Sequence, residues 1–434
     1  MSPTLPTGPS SRRRPLPRTP PDGSKARRPG EIPVEEIVAW VDRWKIALAL
    51  GAGVFFRLVG YLSGRGYWMD EGSLAANIRA STPIGFLGPL QSQQLAPPGF
   101  LVAVWTSIRL FGDNPYAMRL VPMAGGIAGL FLFRALARRV LPIRAVFPAV
   151  LMFAVANDPV YYASELKQYS TDLASGMACL LAGLAIGSRP LRPASTALLA
   201  IGGAAIVWFS HPSVFVLASV GLVGMARAVG ARDWRGVGLW TIVGFAWLIS
   251  LAAVHAVGIR QLAGSDQMWL FWDFAFPPMP PRSVWDATWF ARRLAYYFHN
   301  PLNFDAPFGE RLSMLPALGL AVLGTFRLWK LDRTRWALLM LPVALTLLAA
   351  SLRLYPFHGR LVLFLAPIPL LAIAAGLEAV REARGRGVLY YALAAMVLVV
   401  PAIAACQQAV NPWTIHNRLG DLHPYDIDPY RFPL

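Results

Sequence analysis

Apolar runs of roughly 17 to 22 residues recur along most of the chain, each long enough to cross a ~30 Å hydrocarbon layer as a helix. Hydrophobic residues make up 56% of the sequence and charged ones 15%. A soluble protein of that make-up would have to hide more apolar surface than a globular shape allows. The fold class is therefore an all-α, polytopic membrane protein. The formal net charge is +17. It is not read as nucleic-acid binding, because Arg and Lys cluster in short loops and in one tail, as an orientation bias places them. Cys179 and Cys406 lie in or beside apolar runs and read as packing residues, not as a disulfide or a metal site.

Residues 1–33 are rich in Pro, Ser and Arg and cannot bury enough apolar surface to fold, so they are expected to be a disordered, basic cytoplasmic tail. Its arginines lack a promptly following apolar stretch and a small-residue cleavage pattern, which argues against an export signal. Residues 34–405 form the expected transmembrane module, and 406–434 a short extracytoplasmic tail. The expected outer loops are 63–118, 162–172 and 258–312.

Charge parity sets the topology. The segment 97–111 is apolar but marginal for crossing. If it lies along the outer face, the cluster Arg134, Arg138, Arg139 and Arg144 falls inside, and so do the later clusters near 189, 227, 330 and 381. This predicts eleven spans, near 44–62, 119–137, 145–161, 173–188, 195–210, 213–229, 237–256, 313–329, 336–352, 361–379 and 388–405. The N-terminus is then cytoplasmic, with the chemically promising residues on the outer side of the membrane.

The chain is poor in acids, yet Asp70-Glu71 follows the first span directly. A carboxylate pair at a membrane boundary costs desolvation unless something pairs with it or uses it. A second polar stretch, Tyr161 to Asp172, falls on the same side. On a helix, Glu165, Tyr169 and Asp172 would share one face, with Lys167 close by. Acids and a cation at one interface suit a phosphate-bearing substrate and a proton acceptor; the alternative is a loop whose charges pair with one another. Arg57 sits about six residues inside the first span, roughly 9 Å deep at the helical rise. It must snorkel, find a carboxylate or bind an anion. Tyr355, His358 and Arg360 open the tenth span, and Arg360 has no carboxylate in its own segment, so a lipid phosphate would satisfy it. His211 at another helix end could donate to a phosphate. His255, His299, His416 and His423 lack metal-ligand spacing, and no metal site is expected. Gln94 to Gly99 reads as a rigid polar approach to an interfacial helix, since its two prolines restrict φ. The aromatic stretches at 268–272 and 285–298 read as ordinary interfacial aromatics.

The strings Trp68–Ile78, Ala96–Phe100, Met118–Pro122, Tyr162–Leu173 and Tyr355–Phe364, in that order, resemble the GT-C glycosyltransferases, specifically the protein O-mannosyltransferase and lipid A aminoarabinose transferase superfamily. The resemblance covers the transmembrane module. It implies transfer of a sugar from a polyprenyl-phosphate donor to a lipid, glycan or protein acceptor on the extracytoplasmic face. It implies that Asp70 is the base with Glu71 as its neighbour, and that Asp172 or Glu165 is a second acid. Lys167 and Arg360, then Arg57 and His211, are implied to hold the lipid phosphate, with Tyr169, Tyr355 and His358 alongside. No cofactor is required, and a divalent metal is admitted without being needed. Direct displacement predicts inversion at the sugar. Burial and Glu71 are expected to raise the Asp70 pKa toward that of a useful base. The competing class is a transporter or flippase of a lipid-linked sugar. Transporters often place ionisable groups near the midplane, whereas these spans are nearly charge-free at their centres. The sequence selects neither the sugar nor the acceptor.

Overall fold

The structure is a computed structural model and describes residues 34–186, 190–259, 270–302, 304 and 314–410. The expected tail 1–33, the two flanks of the 258–312 loop (260–269, 303 and 305–312), His416 and His423 lie outside the described residues. The chain divides into residues 1–43 and residues 44–434. The described residues are helical and contain no strand.

The first helix, α1, is Val34–Leu62. Next come α2 (Met69–Ala80) and α3 (Pro98–Phe111), then α4 (Pro115–Val140). A broken pair follows, α5 (Ile143–Val155) and α6 (Asn157–Tyr161), and then α7 (Tyr169–Ile186). The chain continues through α8 (Pro193–Ile206), α9 (Ser213–Gly230) and α10 (Trp234–Val254). It ends with α11 (Val284–His299), α12 (Met314–Leu331), α13 (Arg333–Ser351), α14 (Pro367–Glu382) and α15 (Gly387–Val410). A 3₁₀ segment, Gly359–Leu365, leads into α14.

Eight helices are long and apolar enough to cross a membrane, and up to ten if each of two bent pairs counts as one span. The remaining expected span, 195–210, falls on α8, a helix of only 14 residues. Length and composition therefore support eight to ten crossings rather than establishing eleven. The marginal segment 97–111 is also a 14-residue helix. With α2 it forms a small separate core of Leu74, Ala75, Ile78, Phe100, Leu101 and Val104, placed beside the start of α4 by Ala117 and Met118. At the other end of the chain, α15 continues past the expected boundary at 405 to Val410.

The two ends of the bundle differ in charge. With 26 residues, α4 is about 39 Å long at the helical rise. Its first turns carry Arg119, next to α2, and its last turn carries Arg138 and Arg139. At that far end Arg335 donates to the Arg139 carbonyl at 2.8 Å, and Arg327 pairs with Glu382 at 2.7 Å. The basic clusters near 134–144, 327–335 and 378–386 therefore meet at the end opposite α2.

Candidate functional site

Asp70 and Glu71 both lie in the first turn of α2, where the helix dipole favours negative charge. The helix buries Glu71, Leu74, Ala75 and Ile78, a stripe at i, i+3, i+4 and i+7. Glu71 thus points into the protein, and Asp70, one residue earlier, stands at the edge of that face.

Glu71 is 1% exposed and is fully engaged. Arg119 donates to both of its oxygens, Nε to Oε1 and Nη2 to Oε2, each at 2.8 Å. The Leu166 amide donates to Oε1 at 2.7 Å and the Trp68 amide to Oε2 at 3.1 Å. Arg119 also donates to the carbonyls of Arg65 (2.8 Å) and Gly66 (3.1 Å). One buried ion pair therefore ties α2, the loop before it, α4 and the stretch after α6 into a single unit. Burial works to raise the Glu71 pKa, but Arg119, Arg65 and the Leu166 amide bring it below the ordinary value.

Asp70 meets different partners. Arg360 Nη2 donates to its Oδ2 at 2.8 Å, and Lys167 Nζ stands 3.7 Å from the same oxygen. The side chains of Asp70 and Arg360 are 21% and 22% exposed, so this pair is open to a ligand, whereas Lys167 is 5% exposed. Lys167 also donates to Gln94 Oε1 at 2.7 Å, and the Arg360 guanidinium lies 5.8 Å from the Tyr169 ring. Burial pushes the Asp70 pKa up, yet Lys167, Arg360 and Gln94 hold it well below the usual carboxylate range. The expectation of a raised Asp70 pKa is overturned: Glu71 is neutralised by Arg119, while two cations face Asp70 directly. Lys167 is shifted down by burial, with Asp70 opposing the shift.

The approach of Arg360 is set by Gly359, whose φ of +46° is a conformation that side chains rarely adopt. The tyrosines here hold backbone: Tyr355 donates to the Leu361 carbonyl at 2.7 Å and Tyr297 to that of Val362 at 2.9 Å. His358 stacks on Tyr296 at 5.4 Å and meets Arg293 through Nδ1 at 3.1 Å, in an aromatic group with Phe274 and Trp272.

Other expectations fare differently. Glu165, Tyr169 and Asp172 do not share a helix face. Glu165 is extended (φ −121°, ψ 139°), and α7 starts only at Tyr169, because the Leu166 amide is drawn to Glu71 instead of continuing a helix. Asp172 is buried in α7, its Oδ1 has no hydrogen-bond partner, and no ion pair joins it to a cation among the described residues. His211 makes no contact with Asp70, Lys167 or Arg360 among the described residues, its Nε2 is buried without a partner, and burial lowers its pKa to about 4. Arg57 is fully buried and donates to the carbonyls of Gly53 and Ala154, away from the Asp70 group. The residues that sequence reading did not place in the site are Arg65, Arg119 and Gln94. Isolated arginines at the ends of the first two apolar runs were the available signal for the first two.

Glu165 is 1% exposed and lies 3.9 Å from Arg65. Burial and then the Glu71 charge raise its pKa to about 7, while Arg65 opposes. An acid whose folded pKa exceeds its unfolded one binds more protons folded, so stability falls as pH rises from the ordinary carboxylate value through about 7. Glu165→Gln is therefore expected to raise the thermal midpoint at pH 8 and leave it nearly unchanged at pH 5. Equal shifts at both pH values would show that Glu165 does not titrate in the folded protein.

The chain is similar in structure to the oligosaccharyltransferase of Archaeoglobus fulgidus crystallised with zinc and sulfate, at 14% identity and a TM-score of 0.54, over 83% of this chain and 53% of that one. The same enzyme tethered to an acceptor peptide containing the NVT sequon gives 13% identity and 0.53, over 85% and 55%. ArnT from Cupriavidus metallidurans in its apo state gives 18% identity and 0.50, over 87% and 65%. The chain spans between about half and two thirds of the length of these proteins. No family model and no curated protein sequence matches it. The likeness shows the fold alone: a helical membrane architecture shared with these proteins.

Proposed function

We propose that the protein is a membrane glycosyltransferase that moves a sugar from a polyprenyl-phosphate donor to a lipid, glycan or protein acceptor. The carrying observation is the convergence of Asp70, Lys167 and Arg360, from three distant parts of the chain, on one half-open position. A carboxylate flanked by two cations is a place where a proton can be accepted beside a departing phosphate. The GT-C fold supports the reading, and so does the A. fulgidus enzyme's tethered acceptor peptide.

The chemistry follows from exchange of partners. A phosphate arriving at Arg360 and Lys167 competes with Asp70 for both cations. At an effective dielectric constant near 20, two unit charges 4 Å apart interact by about 4 kcal/mol, so losing these contacts moves Asp70 strongly toward a useful base. The acceptor hydroxyl then gives its proton to Asp70, and its oxygen forms a bond to the anomeric carbon. The bond from that carbon to the phosphate oxygen breaks, and polyprenyl phosphate leaves with its charge held by Arg360 and Lys167. Direct displacement inverts the anomeric centre. Glu71 acts through α2 by fixing where Asp70 stands.

No cofactor is needed in this scheme. Lys167 and Arg360 already place two positive charges at Asp70 Oδ2, so the scheme draws its charge neutralisation from side chains. The site end is assigned to the extracytoplasmic face, and the basic end to the cytoplasm of a bacterial inner membrane, by the positive-inside bias. The test is mass spectrometry of purified protein incubated with undecaprenyl-phosphate hexoses and pentoses and an envelope extract. Release of undecaprenyl phosphate with a new glycoconjugate is expected. Intact donor moved across a vesicle bilayer would instead establish the flippase reading.

A further inference from the structure

The stretch that carries Glu165 and Lys167 hangs from a broken span. α5 stops at Val155 and α6 restarts at Asn157, with a bend of 60°. Pro159 accounts for the position of the break. A proline inside a helix clashes with the carbonyl four residues earlier, here Val155, and has no amide to donate. The break leaves carbonyls at the end of α5 without helical partners, among buried residues where none can be left bare.

Two arginines near α1 reach the two loose ends. Arg57 Nη1 donates to the Ala154 carbonyl at 3.2 Å and to that of Gly53 at 2.9 Å, with its guanidinium 5.6 Å from the Phe153 ring. It has no carboxylate partner among the described residues, and its Nε and Nη2 are buried without hydrogen bonds. Arg65 Nη2 donates to the Ser164 carbonyl at 2.7 Å, the end of the second half, and its guanidinium covers the Tyr161 ring at 4.3 Å. Between the two caps the chain is seated in a notch without side chains. A Cβ at Gly126 would lie 2.4 Å from the Ala163 Cβ, and one at Gly60 2.8 Å from Ser164 Oγ. Two residues beyond Ser164 the Leu166 amide reaches Glu71, and the next residue is Lys167.

We propose that Arg57 and Arg65 are positioning residues: they cap the C-terminal ends of the two halves of a broken span, and so fix where Lys167 stands against Asp70. A cation on an apolar helix is a natural cap for such an end, because the free carbonyls and the helix dipole present negative charge there. This assigns Arg57 a backbone ligand in place of a lipid phosphate. The link to ligand binding rests on the glycosyltransferase reading; the capping does not.

The test uses the full-length protein in detergent micelles and two readouts. In hydrogen–deuterium exchange, Arg57→Gln and Arg65→Gln are expected to speed exchange in peptides covering 157–168 while peptides from α12 and α14 stay as in the unaltered protein. With undecaprenyl phosphate as the probe, both variants are expected to bind about tenfold more weakly, the size of one charge-assisted hydrogen bond. Arg65→Lys is expected to restore most of the binding, since an ammonium can still reach the Ser164 carbonyl. Gly126→Ala, which leaves both arginines intact, is expected to loosen the same peptides, and it carries the test if Arg57→Gln does not fold. Unaltered exchange at 157–168 in Arg65→Gln and Gly126→Ala would overturn the proposal, as would a rise spread evenly over the molecule. If the unaltered protein fails to bind undecaprenyl phosphate, the donor reading falls, and the exchange pattern still decides the capping.

Discussion

Asp70→Asn is expected to lower sugar transfer by about a hundred- to ten-thousandfold, the usual contribution of a positioned proton acceptor, while the protein remains folded. Folding survives because Arg360 and Asp70 are each about one-fifth exposed, so water can solvate Arg360, and the buried Lys167 keeps its hydrogen bond to Gln94. The same substitution is expected to tighten binding of undecaprenyl phosphate. In the unliganded protein Asp70 occupies the two cations that the phosphate needs, with Arg360 at 2.8 Å and Lys167 at 3.7 Å. Removing its charge removes that competition. Lower turnover together with higher phosphate affinity separates a proton acceptor from a mere phosphate ligand, whose loss would weaken both. Turnover measured on undecaprenyl-phosphate sugars, alongside titration of undecaprenyl phosphate, checks both halves. Full turnover in Asp70→Asn would remove Asp70 from the reaction.

The division of labour between the two adjacent acids shows what was legible in the sequence and what was not. Their presence at the end of an apolar run marked the candidate site, and the run lengths gave the helical membrane class. The stripe of Glu71 with Leu74, Ala75 and Ile78 already separates Glu71 from Asp70 by face. Its consequence, an inward carboxylate, needs a partner that periodicity cannot supply. That partner is Arg119, 48 residues away. The shared helix face considered for Glu165, Tyr169 and Asp172 within the expected outer loop 162–172 does not form for the same reason. Local spacing favoured it, but a long-range hydrogen bond from Leu166 to Glu71 competes with the helix and wins. Pro159 lay inside the expected span 145–161 and was the visible sign that this span would break. Arg360 was legible as a cation without a carboxylate in its own segment, and its partner proved to be Asp70, 290 residues earlier.

Arg119→Leu is expected to cost about 3–5 kcal/mol, the penalty for breaking a buried ion pair by removing one partner, and so to take a large share of the stability typical of a folded domain. Arg119 and Glu71 are 2% and 1% exposed, so neither can turn to water when the other is lost. The loss is wider than the pair, because Arg119 also holds the carbonyls of Arg65 and Gly66. Arg119→Lys is expected to recover little, since an ammonium cannot reproduce a two-pronged contact to the carboxylate while reaching two carbonyls. Glu71→Leu is expected to be comparably harmful. The double variant Arg119→Leu with Glu71→Leu should be milder than the sum of the two, because no uncompensated charge stays buried, although the Leu166 and Trp68 amides still lose their acceptor. The pH dependence carries an independent sign. Glu71 has a folded pKa below its unfolded one, so its contribution is present above the ordinary carboxylate value and is lost as pH falls through the folded pKa. Arg119→Leu removes that pairing and should therefore reduce the stability lost on acidification. Thermal midpoints of the single and double variants in detergent, taken at pH 7 and pH 4, test the cycle and the sign together. A midpoint for Arg119→Leu equal to that of the unaltered protein would mean that this pair does not hold α2, and with it Asp70, in place.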